Sequence, residues 1–278
     1  MPELPEVEVT RLGITSHLTG ARIAAVSVHS PKLRAMVPAG LAGLLAGETI
    51  RCVERRGKYL ILTCASGSLL LHLGMTGHLR LVPATSAPGP HDHFDLRLES
   101  GLTLRLNDVR RFGSIHFTAA DPLQHRLLKK IGPEPLSAAF NAECLYRLSR
   151  NRKVALQRFL MDSAVVAGIG NIYAAESLFR CRLFPETPAG SLTLADCSRL
   201  VDAIKETLSD SIAAGRSSMD FRRQEERLAY FPQELYVYGR EGEPCRECGS
   251  PIRRGRLGNR STFFCAACQG RESHPAGG

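Results

Sequence analysis

Ile131-Gly132-Pro133-Glu134-Pro135 separates two parts of a 278-residue chain that follow different periodicities. Proline lacks a backbone N–H and restricts the residue before it, so regular structure rarely runs through such a stretch. Upstream, short apolar runs alternate with turn residues: Arg22–His29, Thr49–Val53, Tyr59–Cys64, Ser68–Leu73, His78–Val82, Phe94–Leu98, Thr103–Leu106 and Ser114–Thr118. Strands at this spacing, joined by Ala65-Ser66-Gly67 and Glu99-Ser100-Gly101, predict an antiparallel sandwich or barrel. Residues 83–92, PATSAPGPHD, read as a Pro-rich surface loop. One helix is expected before the strands, over residues 5–18, despite its β-branched residues and Gly13. Downstream the strand pattern stops. Ser137–Ser149, Arg152–Met161, Asn171–Phe179 and Thr193–Ala213 read as helices, with a cap for the last in Ser191-Leu192-Thr193. The charged stretch 215–232 reads as a mobile loop. The fold class is therefore α+β in two domains.

Composition narrows the partners. Lys and Arg number 36 against 27 Asp and Glu, a formal net charge of +9. Such an excess suits a polyanion, because neutralising phosphates releases condensed counterions. The sequence contains neither an 18-residue apolar run nor a secretory leader pattern, and no long basic amphipathic anchor is evident. No membrane partner is expected, and the cytoplasm or nucleoid is the expected location.

Five of the nine cysteines, Cys52, Cys64, Cys144, Cys181 and Cys197, are scattered singly and read as free thiols in a reducing compartment. The other four form Cys245-x2-Cys248-x16-Cys265-x2-Cys268. Two knuckles of paired thiolates close a tetrahedral site with no open position, so one structural Zn2+ is expected. Between the knuckles, Arg253, Arg254, Arg256 and Arg260 crowd a short hairpin ending in Gly258-Asn259. A nucleic-acid finger and a solvated zinc staple both fit that pattern.

Other segments carry paired readings. Gly168-Ile169-Gly170-Asn171 precedes a helix, either as a phosphate-binding start or as a plain interhelical turn. In Asp108-Val109-Arg110-Arg111-Phe112-Gly113 and His72-Leu73-Gly74-Met75-Thr76-Gly77, Phe112 and Met75 fit core positions or wedges that fill the space left by an unstacked base. Arg55-Arg56-Gly57-Lys58 is a cation run entering a strand. His91-Asp92-His93 has the look of a metal pair but lacks a third ligand nearby, which favours phosphate or structural hydrogen bonding. At the N-terminus, Met1-Pro2-Glu3-Leu4-Pro5-Glu6 suits a helix start. Loss of Met1 would also make Pro2 a secondary amine titrating at about pH 8, able to attack a sugar C1′, with Glu3 beside it to move protons.

MPELPE, the GKYL segment around Lys58, HLGMTG, RRFG, GIGNIYAAE and the four-cysteine finger occur together and in order. With them the chain resembles the bacterial formamidopyrimidine-DNA glycosylase family, to about Gln269. Leu4, where the related endonuclease VIII enzymes usually carry Gly, and RRFG favour the formamidopyrimidine branch. The resemblance implies an N-terminal catalytic helix and β-sandwich domain (1–130), then a helix–two-turn–helix DNA-binding domain with a lesion-capping loop at Arg216–Ala229 (131–235). A zinc finger (236–270) and a disordered tail (271–278) would follow.

It implies a bifunctional base-excision repair enzyme, glycosylase and abasic-site lyase. Such an enzyme removes 8-oxoguanine and formamidopyrimidines from damaged double-stranded DNA and then cuts the strand by β,δ-elimination. Pro2, Glu3, Lys58 and Arg260 would be catalytic. His91, Arg110, Arg152 and Asn171 would contact DNA, and Met75, Arg110 and Phe112 would fill the void beside the flipped base. A monomer is expected. Three departures stand out: Val109 after Asp108 in place of the common Pro, Gln157 where the family usually has Lys, and Glu226–Phe231 in place of a Gly-Pro-Gly-type lid. The alternatives are a zinc-finger protein that binds lesions or abasic sites without cutting, and a structural DNA-binding protein. Neither has use for a terminal secondary amine beside an acid.

Overall fold

The computed structural model describes residues 2–218 and 234–270. The remainder of the expected mobile loop and lid, and the expected tail over 271–278, lie outside the described residues. Two compact units emerge, one built on residues 2–130 with 212–218 and one on 131–211 with 234–270.

The first unit begins with α1 (Leu4–Leu18). Glu3 is its N-cap, and the Glu6 carboxylate accepts the Glu3 N–H at 2.8 Å in a capping box. Its β-branched residues and Gly13 do not break it, because burial outweighs intrinsic propensity. Leu4, Val7, Val9, Ile14 and Leu18 are all at most 1% exposed. Next come β1 (Ile23–Val28), α2 (Leu41–Leu45), β2 (Cys52–Arg56), β3 (Tyr59–Thr63), β4 (Ser68–His72), β5 (His78–Pro83), β6 (Asp92–Leu98), β7 (Leu102–Asn107) and β8 (Ser114–Thr118). They form two antiparallel four-stranded sheets, ordered β1-β6-β7-β5 and β2-β3-β4-β8. Alternation places Leu60, Leu62, Leu69, Leu71 and Ile115 of one sheet in a single core with Phe94, Leu96, Leu104 and Leu106 of the other. Each such side chain contributes about 1.5–3 kcal/mol by leaving water.

The expected strands are present with end shifts. The run expected over Thr49–Val53 becomes β2 only from Cys52, since Thr49 makes an isolated bridge to Arg22 and the cation run Arg55-Arg56 continues the strand instead. The short α2 has no counterpart in the sequence reading, being only five residues long behind Gly40 at φ 77°.

In the second unit, α3 (Ala142–Ser149) starts later than expected because the Asn141 side chain caps it by accepting the Cys144 N–H at 2.9 Å. The next helix, α4 (Leu156–Leu160), also starts late, after Ala155 has bridged to Pro188. α5 (Asn171–Arg180) follows Gly168 in the left-handed region, φ 77°. α6 (Leu194–Ser218) opens on a reciprocal Thr193–Asp196 cap and runs five residues past Ala213, so 215–218 are helical rather than loop. Phe140, Leu156, Leu160, Tyr173, Leu178, Leu200 and Ile204 form the helical core. The hairpin of β9 (Arg253–Leu257) and β10 (Arg260–Phe264) packs on α5 through Ala175, Phe179, Val237 and Ile252.

Buried Glu176 of α5 ties the segment leading into this hairpin. Its carboxylate accepts the backbone N–H groups of Tyr236, Val237 and Tyr238 at 2.8, 3.0 and 2.8 Å. Glu176→Ala should therefore strand these donors and cost about 3 kcal/mol. Glu176→Gln, which keeps one carbonyl acceptor, should cost less; equal denaturant midpoints for wild type and Glu176→Ala would rule out this anchor.

Candidate functional site

In the first unit, Pro2 and Glu3 are buried at the head of α1. Lys58 follows Gly57, whose φ of 58° makes the β2–β3 turn. One ion-pair cluster joins the helix to that turn. Glu8 of α1 accepts from Arg55 Nε at 2.8 Å and from Arg11 Nη2 at 2.6 Å, while Arg55 Nη1 donates to the Gly57 carbonyl at 3.0 Å. Burial pushes the Glu8 carboxyl up, but Arg11 and Arg55 outweigh it and hold the carboxyl below its usual range. The element carrying Pro2 and Glu3 is thus clamped to the turn carrying Lys58.

Three loops meet around Asp108, which is fully buried. One carboxylate oxygen accepts the Thr76 hydroxyl at 2.6 Å and the other accepts the Gly113 N–H at 2.7 Å. The Asp108 N–H donates to the His91 carbonyl at 3.0 Å, and its own carbonyl accepts His93 Nε2 at 2.8 Å. Thr76 Oγ1 also accepts the Arg110 N–H at 3.1 Å. Gly74 lies so close to the second loop that a Cβ there would sit 2.3 Å from the Phe112 carbonyl carbon. Met75, His91, Arg110 and Phe112 are therefore brought together on one framework. Met75 and Phe112 are 37% and 41% exposed, so they are not core residues, and Arg110 lies 4.7 Å over the Phe112 ring. His91 and Arg111 hold φ of 67° and 54°, conformations that non-glycine residues adopt at a cost and that cluster at functional loops.

The loop carrying His91 is pinned rather than loose. Arg105 donates to the Ser86 and Ala87 carbonyls at 2.9 Å each and pairs with Asp95, and Asn107 donates to the Pro90 carbonyl at 3.0 Å. Asp92 accepts from Arg80 at 2.6 Å, so within His91-Asp92-His93 both Asp92 and His93 act as structural hydrogen-bonding anchors. The sequence reading had no signal for this pinning, because its partners lie 10 to 19 residues away.

Sequence reading also passed over His72, whose ring packs tilted against Tyr59, centroids 4.7 Å apart. Burial first, then the charges of Lys58 and Arg34, lowers its pKa to about 4. Its Nδ1 accepts the Gly74 N–H at 3.0 Å, which is the bonding of a neutral ring.

The second unit gathers a different set. Asn171 opens α5, its Oδ1 accepting from Gln157 Nε2 at 2.7 Å and its Nδ2 donating to the Ser261 carbonyl at 2.8 Å. Arg260 is the residue before Ser261, so Asn171 and the finger arginine share one hydrogen-bonded unit. Arg152 belongs to the α3–α4 turn. Asn151 there holds φ 61°, and the Arg152 carbonyl accepts the Gly190 N–H at 2.8 Å.

Cys245, Cys248, Cys265 and Cys268 bring their sulfurs within 4.8 Å of one another, with Cys245–Cys268 at 3.9 Å and Cys248–Cys265 at 3.5 Å. A tetrahedron with metal–sulfur bonds of about 2.3 Å has edges of about 3.8 Å, so the set fits one zinc ion. Among the described residues it is the one metal-competent group.

Two expectations can be measured directly. Cys248→Ser should release zinc and loosen the hairpin while leaving the sandwich folded; unchanged zinc content would rule out the four-sulfur site. His72 is neutral when folded but gains a proton when unfolded below about pH 6.5, so stability should be complete above that pH and fall towards pH 4. The loss attributable to His72 is at most about 3 kcal/mol. His72→Gln should flatten the fall in denaturation experiments; identical pH profiles would refute the assignment.

Residues 1–115 match the family described as the formamidopyrimidine-DNA glycosylase N-terminal domain. Residues 131–223 match its H2TH domain, and 242–270 match the zinc finger found in FPG and IleRS. The chain is 55% identical over 270 residues to formamidopyrimidine-DNA glycosylase of Geotalea uraniireducens, covering 97% of this chain and all of that protein. The Geobacter sulfurreducens protein of the same name is 50% identical over the same shares. Among solved structures, Lactococcus lactis Fpg in complex with abasic-site DNA superposes with a TM-score of 0.87 at 33% identity, covering 97% of this chain and 100% of that one. The MutM (FPG) protein of Thermus thermophilus gives 0.83 at 38% identity over 97% and 99%. This protein belongs to the formamidopyrimidine-DNA glycosylase family.

Proposed function

We propose that this chain excises oxidised purines, 8-oxoguanine and formamidopyrimidines, from duplex DNA and then cuts the strand at the abasic site. The observation that carries the reading is Pro2-Glu3 at the head of a buried helix that is clamped to the Lys58 turn, in a member of this glycosylase family. Related structures are described as complexes with abasic-site DNA, with Fapy-dG DNA and with carbocyclic 8-oxo-G DNA. Residues 1–130 form the catalytic domain, 131–235 the helix–two-turn–helix DNA-binding domain and 236–270 the finger.

In this mechanism removal of Met1 frees the Pro2 nitrogen. It attacks C1′ and forms a C–N bond as the base departs with the glycosidic electrons and takes up a proton. Glu3 donates a proton to the ring oxygen as the deoxyribose opens, leaving an iminium between Pro2 and C1′. The iminium acidifies the C2′ proton. Its removal expels the 3′ phosphate, and a second elimination expels the 5′ phosphate, leaving a one-nucleotide gap. Lys58 and Arg260 hold the phosphates that leave. Arg152, Asn171 and His91 grip the backbone, while Met75, Arg110 and Phe112 occupy the space of the extruded nucleotide. The closed four-cysteine zinc site supplies structure and no reaction step. The chain acts as a monomer in the cytoplasm, at the nucleoid where its substrate lies.

A lesion-binding protein without activity is the less favoured reading, because curated relatives named as glycosylases match along their whole length and Pro2-Glu3 is intact. Borohydride trapping on an 8-oxoguanine duplex should give a covalent adduct with the processed chain. A chain carrying an extra residue before Pro2 should give none and release no base. Full base release by the extended chain would refute Pro2 as nucleophile.

A further inference from the structure

The helix α4 carries Gln157-Arg158, and the two side chains part company. Gln157 is 1% exposed and turns inward. Its Oε1 accepts the hydroxyl of fully buried Thr262 on β10, and its Nε2 donates to Asn171. A hydroxyl donor at one end sets the direction of the whole relay: Thr262 to Gln157, Gln157 to Asn171, Asn171 to the Ser261 carbonyl. The relay is neutral and locks α4, α5 and β10 together.

Arg158 turns outward. It is exposed, and a Cβ built on Gly258 at the hairpin tip would lie 3.9 Å from its Nη1. Arg256 reaches the same tip, its Nε donating to the Gly258 carbonyl at 3.0 Å, and Arg260 opens the returning strand opposite Leu257. Two exposed guanidinium groups, Arg158 and Arg256, thus reach one turn, from which exposed Arg260 starts the returning strand. Among the described residues none of the three has a carboxylate partner, whereas Arg254 on the same hairpin pairs with Glu241 at 3.3 Å. Exposed Glu186 approaches Gly255 but, among the described residues, makes no ion pair with them. Converging cations repel one another, and a phosphate placed among them relieves that repulsion.

We propose that Arg158 binds a DNA phosphate at the hairpin tip beside Arg260. It supplies the cation on α4 that buried, neutral Gln157 does not. The ligand, duplex DNA, comes from the function proposed above.

The test is the salt dependence of affinity for a duplex carrying a tetrahydrofuran abasic analogue, which cannot be cut. Losing one phosphate contact lowers the magnitude of the slope of log K against log [salt] by about 0.9. Arg158→Gln, which keeps a polar side chain of similar reach without the charge, should show that reduction and bind several-fold more weakly at moderate salt. Arg158→Lys should restore the slope. Zinc content and melting temperature report on folding of each variant. A wild-type slope in a folded, zinc-loaded Arg158→Gln protein would overturn the proposal, as would failure of Arg158→Lys to recover it. Wild-type protein that binds this duplex but forms no borohydride adduct on an 8-oxoguanine duplex would defeat the glycosylase reading and leave the slope comparison intact.

Discussion

Irregular backbone keeps a shape only where its N–H and C=O groups find partners, and the loops that carry Met75, His91, Arg110 and Phe112 are irregular. Buried charged side chains provide those partners. Asp108 joins Thr76 and Gly113 through its carboxylate and His91 and His93 through its backbone. Arg105 holds two loop carbonyls while neutralised by Asp95. Glu176 takes three backbone donors ahead of the zinc hairpin. A buried charge with its hydrogen bonds complete is a strong organiser, and stripping one partner leaves the rest uncompensated. Through the Asp108 anchor Met75, His91, Arg110 and Phe112 acquire fixed positions on their loops.

Fixing loops has a cost that shows in the backbone. His91, Arg111 and Asn151 all sit in the left-handed region, each within or beside a segment proposed to contact DNA. Met75 and Phe112 expose apolar surface that a folded monomer does not need. Within the first unit, strain at His91 and Arg111 and exposed apolar groups at Met75 and Phe112 share one framework, the combination expected of a surface shaped for a ligand.

Charge is partitioned in the same sense. Where it serves architecture, it is paired: Glu8 with Arg11 and Arg55, Asp92 with Arg80, Asp95 with Arg105. Cations without a carboxylate partner among the described residues, such as Arg158, Arg256 and Arg260, stand outside. Gln157 illustrates the division, since burial at 1% exposure favours a neutral amide over an ammonium, and the exposed neighbour carries the charge instead.

By itself the sequence determined the two-part architecture, because Pro-rich punctuation and a change of periodicity from two to near four need no distant partner to be read. It determined the zinc ligands for the same reason: cysteine spacing is local. The family was legible through ordered motifs, and with it the proposal of Pro2, Glu3, Lys58 and Arg260 as catalytic. The late starts of α3 and α4, the extension of α6, the pinned loop at 83–91 and the neutral state of His72 were not. Each is set by capping, burial or hydrogen bonds in the folded chain. Tertiary structure alone decided that Met75, His91, Arg110 and Phe112 share Asp108, and that Gln157 faces in while Arg158 faces out. Those outcomes depend on contacts between residues far apart in the chain, and no local pattern encodes the distance across a sheet or between a helix and a hairpin.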